Sequence, residues 1–186
     1  MTLADGWISR DAPWLGLDEP AARTLLAPLA AAYGEPQRRY HDRTHLAEML
    51  EAVHALRSRC RDFRAVLLAA WYHDAVYQPE RRDNEAQSAA WARRALPAAG
   101  FAPELVAEVE RLVLGTDPAS PPPADADAQV IHDADRRVWA APPARYAEYA
   151  RGIRAEYGRF SWTRYAAGRG RFLEGALRRA GDGGRL

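Results

Sequence analysis

Residues 65–77 read AVLLAAWYHDAVY, a nearly unbroken apolar run that carries His73 and Asp74 side by side. A helix over 63–77, apolar on every side, has to sit at the centre of the packing, with Pro79 as its stop. An ionised carboxylate placed there without a partner costs several kcal/mol, a large share of a domain's whole stability. Asp74 therefore demands compensation from elsewhere in the chain.

The other elements follow from apolar spacing. Leu25, Leu26 and Leu29 mark a helix over 21–32 with Gly34 as its stop, and Leu46, Met49, Leu50, Val53 and Leu56 mark another over 42–58. Asp83 is the predicted N-cap of a helix over 83–96, ended by Pro97 and Gly100, and Pro103 opens one over 103–114. After the proline-rich loop GTDPASPPPADAD, Ile131, Ala134 and Val138 mark a short helix. Helices over 143–157 and 162–179 close the chain, with a frayed tail over 179–186. No segment alternates with period two and no internal repeat is present, so the fold is predicted to be all-α, one domain over 1–186 with about seven to eight helices.

A net charge of +1 argues against bulk binding to nucleic acid or to an anionic membrane. Arg38-Arg39 and Arg81-Arg82 still offer local grips for phosphate, which keeps a small anionic substrate in play. No apolar stretch approaches the roughly 20 residues that a bilayer span needs. The single cysteine, Cys60, has no internal partner and no secretory leader pattern opens the sequence, so a cytoplasmic protein is expected. All 26 basic residues are arginine, which excludes Schiff-base chemistry on lysine.

Helical geometry sorts the residues that can carry chemistry. His41 and His45 are four apart and share a face, whereas His54, nine beyond His45, turns about 180° away and is expected to face solvent. His73 and Asp74 point about 100° apart yet can meet at one ion beside a helix end; the alternative is an imidazole–carboxylate pair that satisfies itself. In QVIHDADRRVW, Asp135 shares a side with Ile131 and Val138 and points inward. Asp133 falls in line with Arg136 and Arg137 as a surface ion pair, and the role of His132 stays open. His45, His73, Asp74 and Asp135 thus form a candidate metal set. Two imidazoles with two carboxylates suit a divalent Mn, Fe, Co, Ni or Zn ion, with Mg a weaker fit to the nitrogens.

The order His, His-Asp, Asp on successive helices resembles the HD superfamily of metal-dependent phosphohydrolases. A closer resemblance is to a bacterial family of predicted HD phosphohydrolases, carried by RRYHDRTHLAEML, AAWYHDAVY, DNEAQSA, DAQVIHDADR and YAEYARGIRAEY over 39–177. Two positions depart from that pattern: Ala119 stands where a histidine is usual, and Arg136 where leucine is. The first weakens the case for a second ion, and the second bears on the pocket wall.

The resemblance implies an HD-like helical bundle that hydrolyses a small phosphate ester, a nucleotide included, with water activated by the ion. Arg39, Arg154 and Arg169 match the family's basic residues and are candidates for phosphate binding, each with a surface role as its alternative. His41 is a candidate for phosphate or a second ion, and Asp74 doubles as a catalytic candidate. Glu85 is either a general acid or base or a first-turn acid that complements the helix dipole. Trp71 is expected in the core, while Trp139 and Tyr77 lie nearer the proposed ligands as stacking candidates for a base. The rival readings are a sensing module that binds a nucleotide or metal without turnover and, ranked last, a di-iron oxygenase; a homodimer stays open.

Overall fold

The computed structural model describes residues 3–181. Among the described residues the chain is all-helical, with nine α-helices and no strand. The helices are α1 (Leu3–Leu15), α2 (Glu19–Ala32), α3 (Arg43–Ala55), α4 (Phe63–Tyr72), α5 (Asn84–Ala98), α6 (Pro103–Leu114), α7 (Ala126–Arg136), α8 (Pro143–Glu156) and α9 (Trp162–Gly181). The one without a predicted counterpart is α1: its buried apolar side chains are only Ile8, Ala12 and Leu15, and Pro13 interrupts the helical pattern. Packing along α2 and α4 makes this segment helical rather than its own periodicity. Backbone helix extends to Gly181, past the start of the expected fray, and the rest of that tail lies outside the described residues.

Aspartates start four of the helices. Asp18, Asp42, Asp62 and Asp125 each accept a hydrogen bond from a first-turn N–H of α2, α3, α4 and α7. Asp83 occupies the N-cap position of α5, but its carboxylate takes Arg81 and Gln87 instead of a backbone N–H.

As its sequence requires, α4 is the central element, packed against α1, α2, α3, α5, α6 and α7. Val66, Leu67, Leu68, Trp71 and Tyr72 are fully inaccessible, and each large aliphatic side chain so buried contributes about 1.5–3 kcal/mol. The helix nevertheless ends at Tyr72, not at 77: His73 is its C-cap and the backbone turns before Pro79 is reached. His73 N–H closes the last helical bond, onto the Ala69 carbonyl at 2.8 Å, and the turn beyond it leaves the Asp74 N–H and the Asp74 and Ala75 carbonyls for other partners.

Three buried acids staple the helices together. Asp127 accepts from the backbone N–H groups of Arg61 and Asp62 at 2.6 and 3.1 Å, fixing the approach to α4. Glu156, at the end of α8, accepts from the N–H groups of Arg39, Tyr40 and His41 at 2.8, 2.8 and 3.0 Å. Gly152 permits that approach, since a Cβ there would stand 2.7 Å from the Arg39 carbonyl oxygen. Asp11 is fully buried and accepts from Trp71 Nε1, His54 Nε2 and Arg10 Nε, each at 2.8 Å. His54 is therefore not turned to solvent: it does face away from His45, but α1 covers that side of α3.

Replacing Asp11 with Ala would strand the buried indole N–H of Trp71 and the His54 imidazole, while Arg10 keeps Glu51, and a loss of about 3–5 kcal/mol is expected in urea unfolding. Arg93→Ala, which removes an exposed pair with Glu110, is expected to change stability by less than about 0.5 kcal/mol. Equal effects of the two substitutions would contradict the role given to Asp11.

Candidate metal centre

Three helices deliver the four candidate ligands to one point. His45 stands in the first turn of α3, where Asp42 caps its N–H at 3.3 Å; His73 and Asp74 follow α4; Asp135 lies in the last turn of α7. One donor atom from each of the four lies within 4.8 Å of all the others. His45 Nε2 is 2.9 Å from His73 Nε2, 3.5 Å from Asp74 Oδ2 and 3.4 Å from Asp135 Oδ1. His73 Nε2 is 3.2 Å from Asp74 Oδ2 and 3.9 Å from Asp135 Oδ1. Donors placed about 2.1 Å from one ion stand roughly 3.0–3.4 Å apart, so the spacing fits a common cation. His45 and His73 are buried, while Asp135 keeps one quarter of its side chain exposed and marks the open side.

The second nitrogen of His73 fixes its orientation. Its Nδ1–H donates to the Ala70 carbonyl at 2.8 Å, which leaves the Nε2 lone pair aimed at the cluster. The Tyr33 hydroxyl stands 3.3 Å from the same Nδ1 and accepts from the N–H of Asp74 at 3.1 Å. Two N–H groups cannot face each other at 2.9 Å, so a single proton serves the two Nε2 atoms. His45 carries it: burial would lower its pKa, but the hydrogen bonds and charges of Asp135 and Asp74 prevail and raise it to about 10. Burial likewise pushes the Asp74 carboxyl up, and the imidazoles of His73, His41 and His45 outweigh it and hold it well below the usual range. Asp135 is lowered for the same reason, chiefly by His45 and His73 against burial. Asp11 and Glu156 also meet an imidazole, His54 and His41, but each of them, like Asp127, accepts from an indole or backbone N–H besides, whereas Asp74 and Asp135 share the two imidazoles of His45 and His73, whose unprotonated form binds metal. This buried group can hold a metal ion.

His41 lies beside the cluster but outside it. Its Nδ1 pairs with Glu156 Oε2 at 2.8 Å, its ring stacks on Tyr77 at 3.9 Å and stands 5.6 Å from the His45 ring. Burial would raise the Glu156 carboxyl, but His41 and the backbone N–H donors bring it down to about 2. Tyr77 thus gives a ring face to His41, and Tyr40 packs against both His45 and Tyr149. Trp139 is 3.4 Å from the Tyr149 hydroxyl and belongs to a small cluster with Tyr40, Val138, Tyr149 and Ile153. Trp71 is core, as expected.

Glu85, in the first turn of α5, is half-buried; burial and the negative charges of Asp74, Asp117 and Asp135 raise its pKa. Arg39 is exposed, and its backbone N–H is the one Glu156 holds. Arg169 donates to the Tyr149 hydroxyl at 2.6 Å, one ring removed from Tyr40. Arg154 is committed elsewhere: it donates to the carbonyls of Tyr157 and Phe160 and lies over Trp162 and Tyr165, closing the α8–α9 turn. Asp133 accepts from Gln129 at 2.6 Å, one turn earlier, and lies 3.9 Å from Arg59, while Arg137 donates to the Glu48 carbonyl. His132 stays outside the four-residue group, and Ala119 is exposed in the loop after α6.

Glu156, Tyr33 and Arg38 escape sequence reasoning. The glutamate follows Arg154 by two positions in a motif whose arginine draws attention, and the tyrosine looks like the apolar end of α2. Arg38 reads as half of a basic pair, yet its side chain is fully buried.

No family model, no curated protein and no solved structure matches the chain. No helix among the described residues is long and apolar enough to cross a membrane.

His45 keeps its proton up to about pH 10 without an ion, so its contribution to stability is full below its ordinary value of 6.5 and is lost as pH rises through about 10. Binding of Mn²⁺ or Co²⁺ at pH 7 has to expel that proton. Calorimetric titration in buffers of different ionisation enthalpy is expected to show release of about one proton and an affinity that rises about tenfold per pH unit above pH 7. Binding without proton release would contradict this protonation pattern.

Proposed function

We propose that the chain is an HD-type metal-dependent phosphohydrolase acting on a small phosphate ester, a nucleotide among the candidates. The observation that carries this reading is the convergence of His45, His73, Asp74 and Asp135 from three helices, with their donor atoms within 4.8 Å of one another and Asp135 partly open to solvent. A divalent ion bound there supplies Lewis-acid activation of water and of a phosphoryl oxygen, and Mn, Fe, Co, Ni or Zn suits the mixed nitrogen and oxygen donors.

Hydrolysis forms a bond from a water oxygen to phosphorus and breaks the bond from phosphorus to the alcohol oxygen. His73 is held in its ligand form by Ala70, and Asp74 is the carboxylate that the buried core tolerates only with positive charge beside it. Glu85 keeps its proton to a higher pH than an ordinary glutamate, which suits delivery of that proton to the departing alcohol oxygen. Arg39, exposed next to the segment that Glu156 pins, is the arginine best free to neutralise phosphate charge. Arg169 reaches the site through Tyr149 and Tyr40 and shapes its wall.

Purified protein assayed with Mn²⁺ or Co²⁺ against nucleotides and sugar phosphates is expected to release phosphate from at least one of them. His73→Ala and Asp135→Ala should lose the bound ion by elemental analysis together with activity, Arg93→Ala should keep both, and Glu85→Gln should keep the ion while slowing turnover about 10²–10⁴-fold. Tight nucleotide binding without turnover would identify a sensing module instead. Retention of the ion by both ligand variants would overturn the reading.

A further inference from the structure

The end of α4 poses a bonding problem that its own residues solve only in part. The His73 N–H still bonds the Ala69 carbonyl and the Ala75 N–H that of Tyr72, but the helix stops at Tyr72 and leaves the Asp74 N–H and the Asp74 and Ala75 carbonyls without helical partners inside a buried region, where unpaired groups are costly. Two side chains from the end of α2 and the segment after it take them up. Arg38 donates through Nη1 to the carbonyls of Asp74 (2.7 Å) and His41 (3.0 Å), through Nη2 to that of Ala75 (3.0 Å), and through Nε to Glu35 (3.1 Å). The Tyr33 hydroxyl accepts the Asp74 N–H and stands beside His73 Nδ1. The guanidinium carbon lies 5.1 Å from the centre of the Tyr33 ring and 5.8 Å from that of Tyr77.

One atom of this arrangement joins the two halves of the donor set. Nη1 of Arg38 spans the His41 carbonyl, just before the capped start of α3 that carries His45, and the carbonyl of Asp74 itself. A shift in that bridge changes the gap between His45 and the His73-Asp74 pair. Only a planar guanidinium has donors placed for three carbonyls at once; an ammonium on a flexible stem does not reproduce the fork.

We infer that Arg38 and Tyr33 form a clamp on the 73–75 backbone and are the positioning residues of the metal centre, setting ligand spacing without touching the ion. This rests on the metal-binding reading above and goes beyond it, because it assigns the geometry of the centre to two residues outside the ligand set. It also explains why a buried arginine is present with its fork filled by carbonyls. The same contacts make Arg38 unavailable as a surface grip for phosphate, contrary to the reading of Arg38-Arg39 as a basic pair.

The test uses wild type, Arg38→Lys and Tyr33→Phe, each checked for helical content by circular dichroism and titrated with Mn²⁺, with Co²⁺ absorption as a report on coordination. Tyr33→Phe removes only a hydroxyl and decides the matter if Arg38→Lys does not fold. The expected result is an Mn²⁺ affinity weakened about 10–100-fold in Arg38→Lys and several-fold in Tyr33→Phe, with altered Co²⁺ bands in folded protein. Folded variants that bind Mn²⁺ within twofold of wild type and give its Co²⁺ spectrum would overturn the clamp alone. A wild type that binds neither ion would overturn the metal reading and the clamp with it.

Discussion

Two imidazole nitrogens 2.9 Å apart, flanked by two carboxylates inside a helical core, are the constraint around which this molecule is arranged. Such a set is stable only with positive charge at its centre, either a proton shared by the rings or a cation in its place. Against the effect of burial, the carboxylates of Asp135 and Asp74 make His45 abnormally basic, so that without an ion the site holds a proton. Replacing the proton by a divalent ion satisfies both carboxylates and both imidazoles at once.

The rest of the fold serves to bring these groups together from distant parts of the chain. Asp42 starts α3 so that His45 faces inward, Asp127 fixes the approach to α4, and Glu156 ties the end of α8 to the backbone ahead of α3. Asp42 and Asp127 are satisfied by backbone N–H donors, and Glu156 by three of them together with His41, which holds each acid in place. Asp74 and Asp135 instead share the imidazoles of His45 and His73, and it is this convergence on one point that sets them apart from the acids that staple.

Much of this was legible in the sequence because it depends on local periodicity. The apolar run before His73 announced the central helix, and the spacing of Ile131, Asp135 and Val138 turned Asp135 inward. What was hidden depends on contacts between distant residues. The end of α4 at Tyr72 is stabilised by Arg38, 36 positions before Asp74, and no local pattern announces it. His54 looked exposed on helical geometry, but α1 brings Asp11 to it from 43 positions away, and α1 itself has too sparse a stripe to be predicted. Glu156 binds three consecutive backbone N–H groups more than 110 positions earlier, a role that only tertiary packing creates.

The most direct measurement is the anomalous scattering of crystals grown with Mn²⁺. The account predicts one strong peak about 2.0–2.3 Å from His45 Nε2, His73 Nε2, Asp74 and Asp135, on the side where Asp135 meets solvent. A peak bound by other residues, or no peak with the two imidazoles still 2.9 Å apart, would contradict it.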